Sequence, residues 1–290
     1  MEPFQRPEIS VVLGSYNRKS FLKAAIESVR SNNITVPYEI IVIDGGSTDG
    51  SIQWLARQKD IISIIQHNHG TYRGNPIPRR SWGYFMNLGF KCAQGKYILM
   101  ISDDALIHPD AIMKGYQHAE NLISQGHKVG AVAFYWRNWP DQDKYWAGLT
   151  LGDKMFVNHG LYLREAAEVV GWIDEEHYQF YHADGDICLK MWGRDYEVID
   201  CPEAFVEHFT HANSRARKSN LKRQQEDWEM YLKRWTGIYY DLAKRNTGGW
   251  IYLEHTDSQN VASRFPKTEV MVFRIKRNIM NLMRKLKKSS

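Results

Sequence analysis

Three short apolar runs, ISVVLG (9–14), EIIVID (39–44) and IISII (61–65), alternate with stretches of helical spacing. That alternation constrains the fold more than any other feature of the chain. The first is short, apolar and β-branched, as expected of a buried strand, and the others read as a second apolar strand and a third strand. Between them, Lys19 to Asn32 carries Phe21, Leu22, Ala25, Ile26 and Val29 at helical intervals, and a second helix runs through Ile52, Leu55 and Ala56. Strand–helix–strand–helix–strand order predicts parallel pairing with right-handed crossovers. A helix from Trp82 to Ala93 then leads into a further strand, KYILMI. In open sheets of this kind the ligand sits beyond the carboxyl ends of the strands. GSYN, DGGSTDG and SDDA all fall at such ends, so three polar motifs converge on one edge.

The last motif is the most demanding. Asp103 and Asp104 end an apolar strand, where paired carboxylates are costly unless a cation or a polar ligand meets them. Further signals are coarser. The segment between Ile65 and Trp82 has Gly, Pro and Arg but no periodicity, and a loop of that length is often functional. A helix is expected after Pro109, to about residue 125. Residues 129–146 read as strand and are rich in Trp. Residues 166–200 read as helix, turn, helix and strand, with HADGD (182–186) at the start of the second helix. Ser47, Thr48 and Asp49 read as helix caps.

The 290 residues suit one large domain or two closely joined halves. With 43% apolar and 24% charged residues the chain is globular rather than disordered. Cys92, Cys188 and Cys201 have neither metal-type spacing nor a disulfide framework, which favours a reducing compartment. The start, MEPFQRPE, is polar and does not read as a signal peptide. No apolar run reaches the roughly 18–20 residues of a membrane span. A cytoplasmic location is therefore expected.

ISVVLGSYNR, EIIVIDGGSTDGS and NLGFKCAQGKYILMISDDA together resemble the nucleotide-sugar half of family 2 glycosyltransferases, whose shared fold is called GT-A. The likeness covers about the first 110 residues well and continues more loosely through VVGWIDEEHYQFYHADGDICLKMW and DCPEAFVEH to His208. It implies an α/β fold with a mostly parallel, Rossmann-like central sheet flanked by helices. It also implies a nucleoside diphosphate sugar as donor, with a UDP-sugar favoured, and Mn²⁺ or Mg²⁺ as cofactor. By this resemblance Ser15 and Tyr16 lie on the nucleotide, Tyr16 stacking on the base. Asp44 accepts a hydrogen bond from base or ribose. Asp103 contacts the ribose or supports the metal, and Asp104 ligates it with His208. The family's Asp-x-Asp begins here with Ser102, so one carboxylate is missing. Asp184 takes the general-base position, Ala183 standing where the family has Glu, and Asp186 is a supporting acid. Other readings of the same residues stand beside these: turn formation for Asp44, an N-cap for Asp103 and Asp104, dipole capping for Asp184 and Asp186. His211, Arg215, Arg217 and Lys218 are further candidates for metal or diphosphate contact, against ordinary solvated charge.

Trp172 and Trp146, with Trp136 and Trp139, are candidate platforms for the acceptor sugar, or simply core. The tail from Val270 to Lys288 has apolar residues at Val272, Ile275, Ile279, Leu282 and Leu286, with basic residues filling much of the rest. From Arg264 to Lys288 nine Lys or Arg face one acidic residue, Glu269. That is a basic amphipathic helix of the kind that lies on anionic membranes, and the segment 270–288 is expected to dock peripherally on the cytoplasmic membrane face. Packing on the body and a homo-oligomer seam are the competing readings. Nucleic-acid binding is disfavoured, since no recognition motif accompanies the charge. The chain divides into a nucleotide-sugar half (1–104), an acceptor and catalytic half (105–260) and the tail (261–290). The expected function is inverting, metal-dependent sugar transfer to a glycan or lipid-linked acceptor in cell-surface polysaccharide synthesis. The alternatives are an inactive nucleotide-sugar-binding protein, a sugar nucleotidyltransferase and a membrane-surface adaptor.

Overall fold

A computed structural model describes residues 5–210, 212 and 221–286. The first half runs β1 (Ile9–Ser15), α1 (Lys19–Arg30), β2 (Tyr38–Asp44), α2 (Ser51–Leu55) and β3 (Ile61–Ile65). The aperiodic segment that follows forms a two-residue-per-strand hairpin, β4 (Thr71–Tyr72) and β5 (Asn75–Pro76), before α3 (Trp82–Cys92) and β6 (Tyr97–Ser102). Next come β7 (Ala105–Ile107), α4 (Ala111–Ser124), β8 (Val129–Asn138), β9 (Tyr145–Thr150), β10 (Lys154–Phe156) and β11 (Gly160–Leu163). The chain ends through α5 (Arg164–Val169), α6 (Ala183–Trp192), β12 (Glu197–His208), α7 (Gln224–Trp235), β13 (Trp250–Leu253) and α8 (Lys267–Leu286).

The sheet runs β10-β9-β8-β11-β6-β1-β2-β3. Its β6-β1-β2-β3 half is entirely parallel. Strand β11 enters antiparallel between β6 and β8, and β12 runs parallel to β8 while closing against β7. The expected α/β architecture forms, and the second half adds antiparallel strands that sequence periodicity did not order.

Why β1, β2 and β6 are continuously apolar rather than alternating is now plain, whereas the edge strand β3 is half-buried to exposed along its length. Val12, Ile41, Ile43, Ile98 and Met100 point to one face and pack under α3 through Met86 and Phe90. Val11, Leu13, Ile40, Val42, Leu99 and Ile101 point to the other and pack with Leu22, Ala25 and Val29 of α1. Side chains alternate across a strand, so a strand covered on both faces must be apolar at every position. Helix α3 lies very close to the sheet: a Cβ at Gly89 would stand 2.5 Å from Val12 Cγ1 and 2.6 Å from Ile43 Cδ1.

Pro109 falls one residue before the left-handed Asp110 that starts α4, not in its first turn. Strand β7 separates the double aspartate from that helix, so neither Asp103 nor Asp104 caps it. Helix α8 is anchored through Val270 and Phe273, which pack with Phe21, Leu106, Phe209, Val261 and Phe265. These include residues from both earlier segments, so the tail starts as part of the body.

Candidate active site

Backbone register assembles the edge. Ser15 pairs with Asp44 across β1 and β2, and Gly14 pairs with Ser102 across β1 and β6. Asp103 therefore lies level with Ser15, one residue past the strand. Each of these buried residues presents an oxygen with no hydrogen-bond partner among the described residues: Ser15 Oγ, Asp44 Oδ2 and Asp103 Oδ2. The Ser15 hydroxyl lies near enough to Asp103 to act on its ionisation without a well-formed hydrogen bond. Orphaned buried acceptors carry a desolvation cost, and such atoms at a strand edge call for a ligand.

Asp44 forms the turn its sequence allowed and keeps one oxygen unpartnered. Oδ1 accepts the amides of Gly46 and Ser47 at 2.9 and 2.6 Å, forming the turn, and leaves Oδ2 free. Tyr16 stacks on His69, ring centroids 4.4 Å apart, so the long loop reaches the edge. The GSTDG segment does more than cap its own helix. Asp49 accepts from Ser51 N, but its second oxygen accepts from Lys19 N at the start of α1. Ser47 Oγ accepts from Asn17 N, and Thr48 N donates to Asn17 Oδ1. Gly50, not these side chains, is the N-cap of α2. Residues 47–49 thus pin the β1–α1 turn, a role no local signature announces.

The double aspartate meets a cation of the chain itself. Arg18 Nη1 lies 2.7 Å from Asp103 Oδ1 and 2.8 Å from Asp104 Oδ2. Burial pushes the Asp104 pKa up, but Arg18 and His208 outweigh it and hold it well below the ordinary carboxylate range. Asp103 goes the other way: burial, with the ionised neighbour Asp104, raises it to about 6 against the pull of Arg18. Burial likewise opposes the Arg18 charge, and the two carboxylates overcome it. Arg18 was missed because a lone Arg in a loop reads as solvated.

His208, at the end of β12, lies across the same carboxylate, Nε2 3.3 Å from Asp104 Oδ1. Its Nδ1 faces Asn138 Oδ1 at 3.0 Å. A carbonyl oxygen only accepts, so Nδ1 carries a hydrogen, and Nε2 is the ring atom that faces the Asp104 carboxylate. Two electron-rich atoms at that distance need a proton or a cation between them. A ligating imidazole commonly donates its other N–H to such a carbonyl. Asp104 and His208 therefore fit a divalent cation by donor chemistry.

A second cluster, His108, Glu207 and Asp257, also has metal-type proximity. Its carboxylates are already engaged in hydrogen bonds. Glu207 accepts from Arg137 Nε and Nη2 at 2.9 Å, from His108 at 3.1 Å and from Tyr145 OH. Asp257 accepts the amides of Val261 and Ala262. We read this cluster as a structural network.

Asp184 sits in the first turn of α6, half-buried, after the left-handed His182. Burial raises its pKa above the ordinary aspartate value, against His182, the Gly185 amide and Asn158. Asn158 Nδ2 donates to Asp184 Oδ2 at 3.1 Å. The next residue, the fully buried His159, lies 3.2 Å from Ser102 Oγ, its ring 5.3 Å from that of His208. Burial, then His208, drives His159 down to about 3, so it is neutral. One dipeptide thus links Asp184 to Ser102 and the His208 ring beside Asp104. Asp186 is instead wholly buried and accepts from Tyr178 and Trp235, with Lys190 and Arg234 nearby, a structural acid.

Trp146 packs between Trp136 and Trp250, at 3.7 and 4.0 Å, and Trp136 meets the His208 ring edge-on at 5.5 Å. Trp146 thus stands one layer behind the site. Trp172 packs against the core beneath Arg164, with its carbonyl taking Lys190. Trp139 lies in the tail cluster. His211, Arg215, Arg217 and Lys218 lie outside the described residues.

The fold has solved counterparts. A mannosyltransferase, PcManGT from Pyrobaculum calidifontis, in complex with GDP-Man and Mn²⁺, superimposes with a TM-score of 0.56 at 17% identity, over 80% of this chain and 65% of that one. S. aureus TarS in complex with UDP gives 0.56 at 15%, over 82% and 68%. The fold is α/β and GT-A-like. Residues 10–166 match the family described as Glycosyl transferase family 2, and the chain belongs to that family. Among curated relatives, a poly(ribitol-phosphate) beta-glucosyltransferase of Bacillus spizizenii is 29% identical over 39% of this chain and 17% of its own length. The first curated relatives are matched over only 28%, 27% and 17% of their lengths.

Proposed function

We propose that this chain is an inverting, metal-dependent glycosyltransferase that moves a sugar from a nucleoside diphosphate sugar, UDP being favoured, to a hydroxyl of a glycan or lipid-linked acceptor. The observation that carries this is the row of unpartnered oxygens on Ser15, Asp44 and Asp103 beside the facing Asp104–His208 pair. That row offers acceptors for a nucleoside and donors for a cation on one edge. The complexes of similarly folded proteins with GDP-Man, Mn²⁺ and UDP support the same reading.

In this mechanism Asp44 Oδ2 accepts from the base or ribose, Asp103 from the ribose, and Tyr16 stacks on the base. Asp104 and His208 would hold Mn²⁺ or Mg²⁺, which neutralises charge on the departing diphosphate. Asp184 takes the proton of the acceptor hydroxyl. That oxygen forms the new bond to the anomeric carbon from the side opposite the diphosphate, the old C–O bond breaks, and the configuration inverts. Asn158 orients the base through Oδ2. Incubating the protein with a panel of nucleotide sugars and Mn²⁺ tests the reading. One donor should raise the melting temperature and be slowly hydrolysed. Stabilisation without hydrolysis or transfer would leave only a binding protein.

Helix α8 supports a peripheral membrane role. Its body-facing residues Val270 and Phe273 lie opposite Val272, Ile275 and Ile279, which are exposed. Anchored on one side, the helix holds a second apolar stripe outward, among basic residues. No described helix is long and apolar enough to cross a membrane. We expect Ile275→Ser/Ile279→Ser to lose sedimentation with anionic vesicles while transfer to a soluble acceptor is unchanged. Equal sedimentation of the variant and the native chain would remove the membrane role.

A further inference from the structure

The cation that answers Asp103 and Asp104 in the free protein holds the same two carboxylates that the proposed function gives to a metal, through Asp103 Oδ1 and Asp104 Oδ2, while Asp104 Oδ1 faces His208. Arg18 Nη1 is shared between the two carboxylates, and its side chain is only 21% exposed. Two positive charges cannot use this pair together without mutual repulsion in a site of low effective dielectric. The backbone around Arg18 is fixed from both sides, by Asn17 N on Ser47 Oγ and Lys19 N on Asp49 Oδ2. Its side chain, however, lines an open cleft of about 460 Å³ that continues past Lys19, Ser20 and Lys23. The guanidinium therefore has somewhere to go. What would draw it is an anion with paired oxygens, since a guanidinium fork matches phosphate geometry.

We propose that Arg18 is an exchangeable counter-ion. It holds Asp103 and Asp104 while the site lacks donor, and it releases them to the divalent cation when the diphosphate of the donor takes the guanidinium. Metal and donor then bind as a coupled pair, each raising the affinity for the other by the same factor. Neither is held well alone, because the metal must displace Arg18 and the diphosphate must pull Arg18 from its carboxylates. This inference rests on the metal reading of the Asp104–His208 pair.

Mn²⁺ binding to the full chain, followed by electron paramagnetic resonance, tests it with UDP as the probe. In the native protein UDP should tighten Mn²⁺ by at least about 30-fold, within the usual range of coupling factors. Arg18→Gln should bind Mn²⁺ alone about 10-fold more tightly than the native chain, yet bind UDP more weakly at saturating Mn²⁺. Opposite signs on the two ligands are not what a merely structural arginine would give. Arg18→Lys keeps the charge and should keep Mn²⁺ alone weak. Native protein that holds Mn²⁺ equally well with and without UDP overturns the exchange, as does an Arg18→Gln protein no tighter than native. If Arg18→Gln does not fold, the native comparison decides alone. Absence of Mn²⁺ binding with and without UDP, in both proteins, removes the metal reading itself and this inference with it.

Discussion

Asp184→Asn is expected to abolish sugar transfer while leaving donor binding within about twofold of native. General-base catalysis by a positioned side chain contributes typically about 10²–10⁴-fold, so the loss should fall in that range. Asn preserves shape and one acceptor oxygen, which can serve either the Gly185 N–H on Oδ1 or the Asn158 amide on Oδ2. It removes the capacity to take a proton and one of these two hydrogen bonds. The variant's stability should move the other way from its rate. Because burial raises the Asp184 pKa, the native state binds more protons than the unfolded chain between the unfolded and folded values. Stability due to this group falls as pH rises through that window, and at neutral pH its charge is a cost. Asn should therefore melt at or above the native temperature. The same shift sets the native pH profile: kcat/KM should fall on acidification around a pKa above the ordinary aspartate value of 3.8. A helix cap predicts otherwise. Asn caps as well as Asp, so a purely capping residue would leave the rate unchanged.

The second large effect is at Asp104. Asp104→Asn should remove the metal-dependent part of UDP binding and reduce transfer by about 10²–10³-fold, the usual loss when one electrostatic partner of a departing group is deleted. The carboxylate is the group shared by Arg18 and His208, and Asn fills the same space without the charge. Calorimetric titration with UDP, with and without Mn²⁺, reads the difference. A variant that keeps the full Mn²⁺ effect would place the metal elsewhere.

Much of the edge was legible because it depends on short, local patterns. Continuous apolar runs ending in Gly, Asp or Ser named β1, β2 and β6, and parallel connection does the rest. The residues that could not be read are those whose meaning lies in distant pairing. Arg18 is 85 positions from Asp103 and carries no local sign of it. Asn158 and His159 have no motif, yet they join Asp184 to Ser102 and His208. Ser47 to Asp49 looked like caps for the next helix, but Gly50 is its N-cap, and of the three only Asp49 accepts an amide of its first turn. Those side chains reach across to the β1–α1 turn, since hydroxyls and carboxylates serve any nearby amide. The tail carried two apolar stripes. The long 3,4-spaced one was the easier to see, but the short Val270–Phe273 pair faces the body because an aromatic cluster waits there.

The central claim is that one cation and one diphosphate meet at the carboxyl edge of the parallel strands. Anomalous scattering from crystals grown with Mn²⁺ and UDP tests this most directly. The expected result is a single strong peak within about 2–2.5 Å of an Asp104 oxygen and His208 Nε2, with the UDP diphosphate against it. UDP bound there with no peak, or a peak at His108, Glu207 and Asp257 instead, would contradict it.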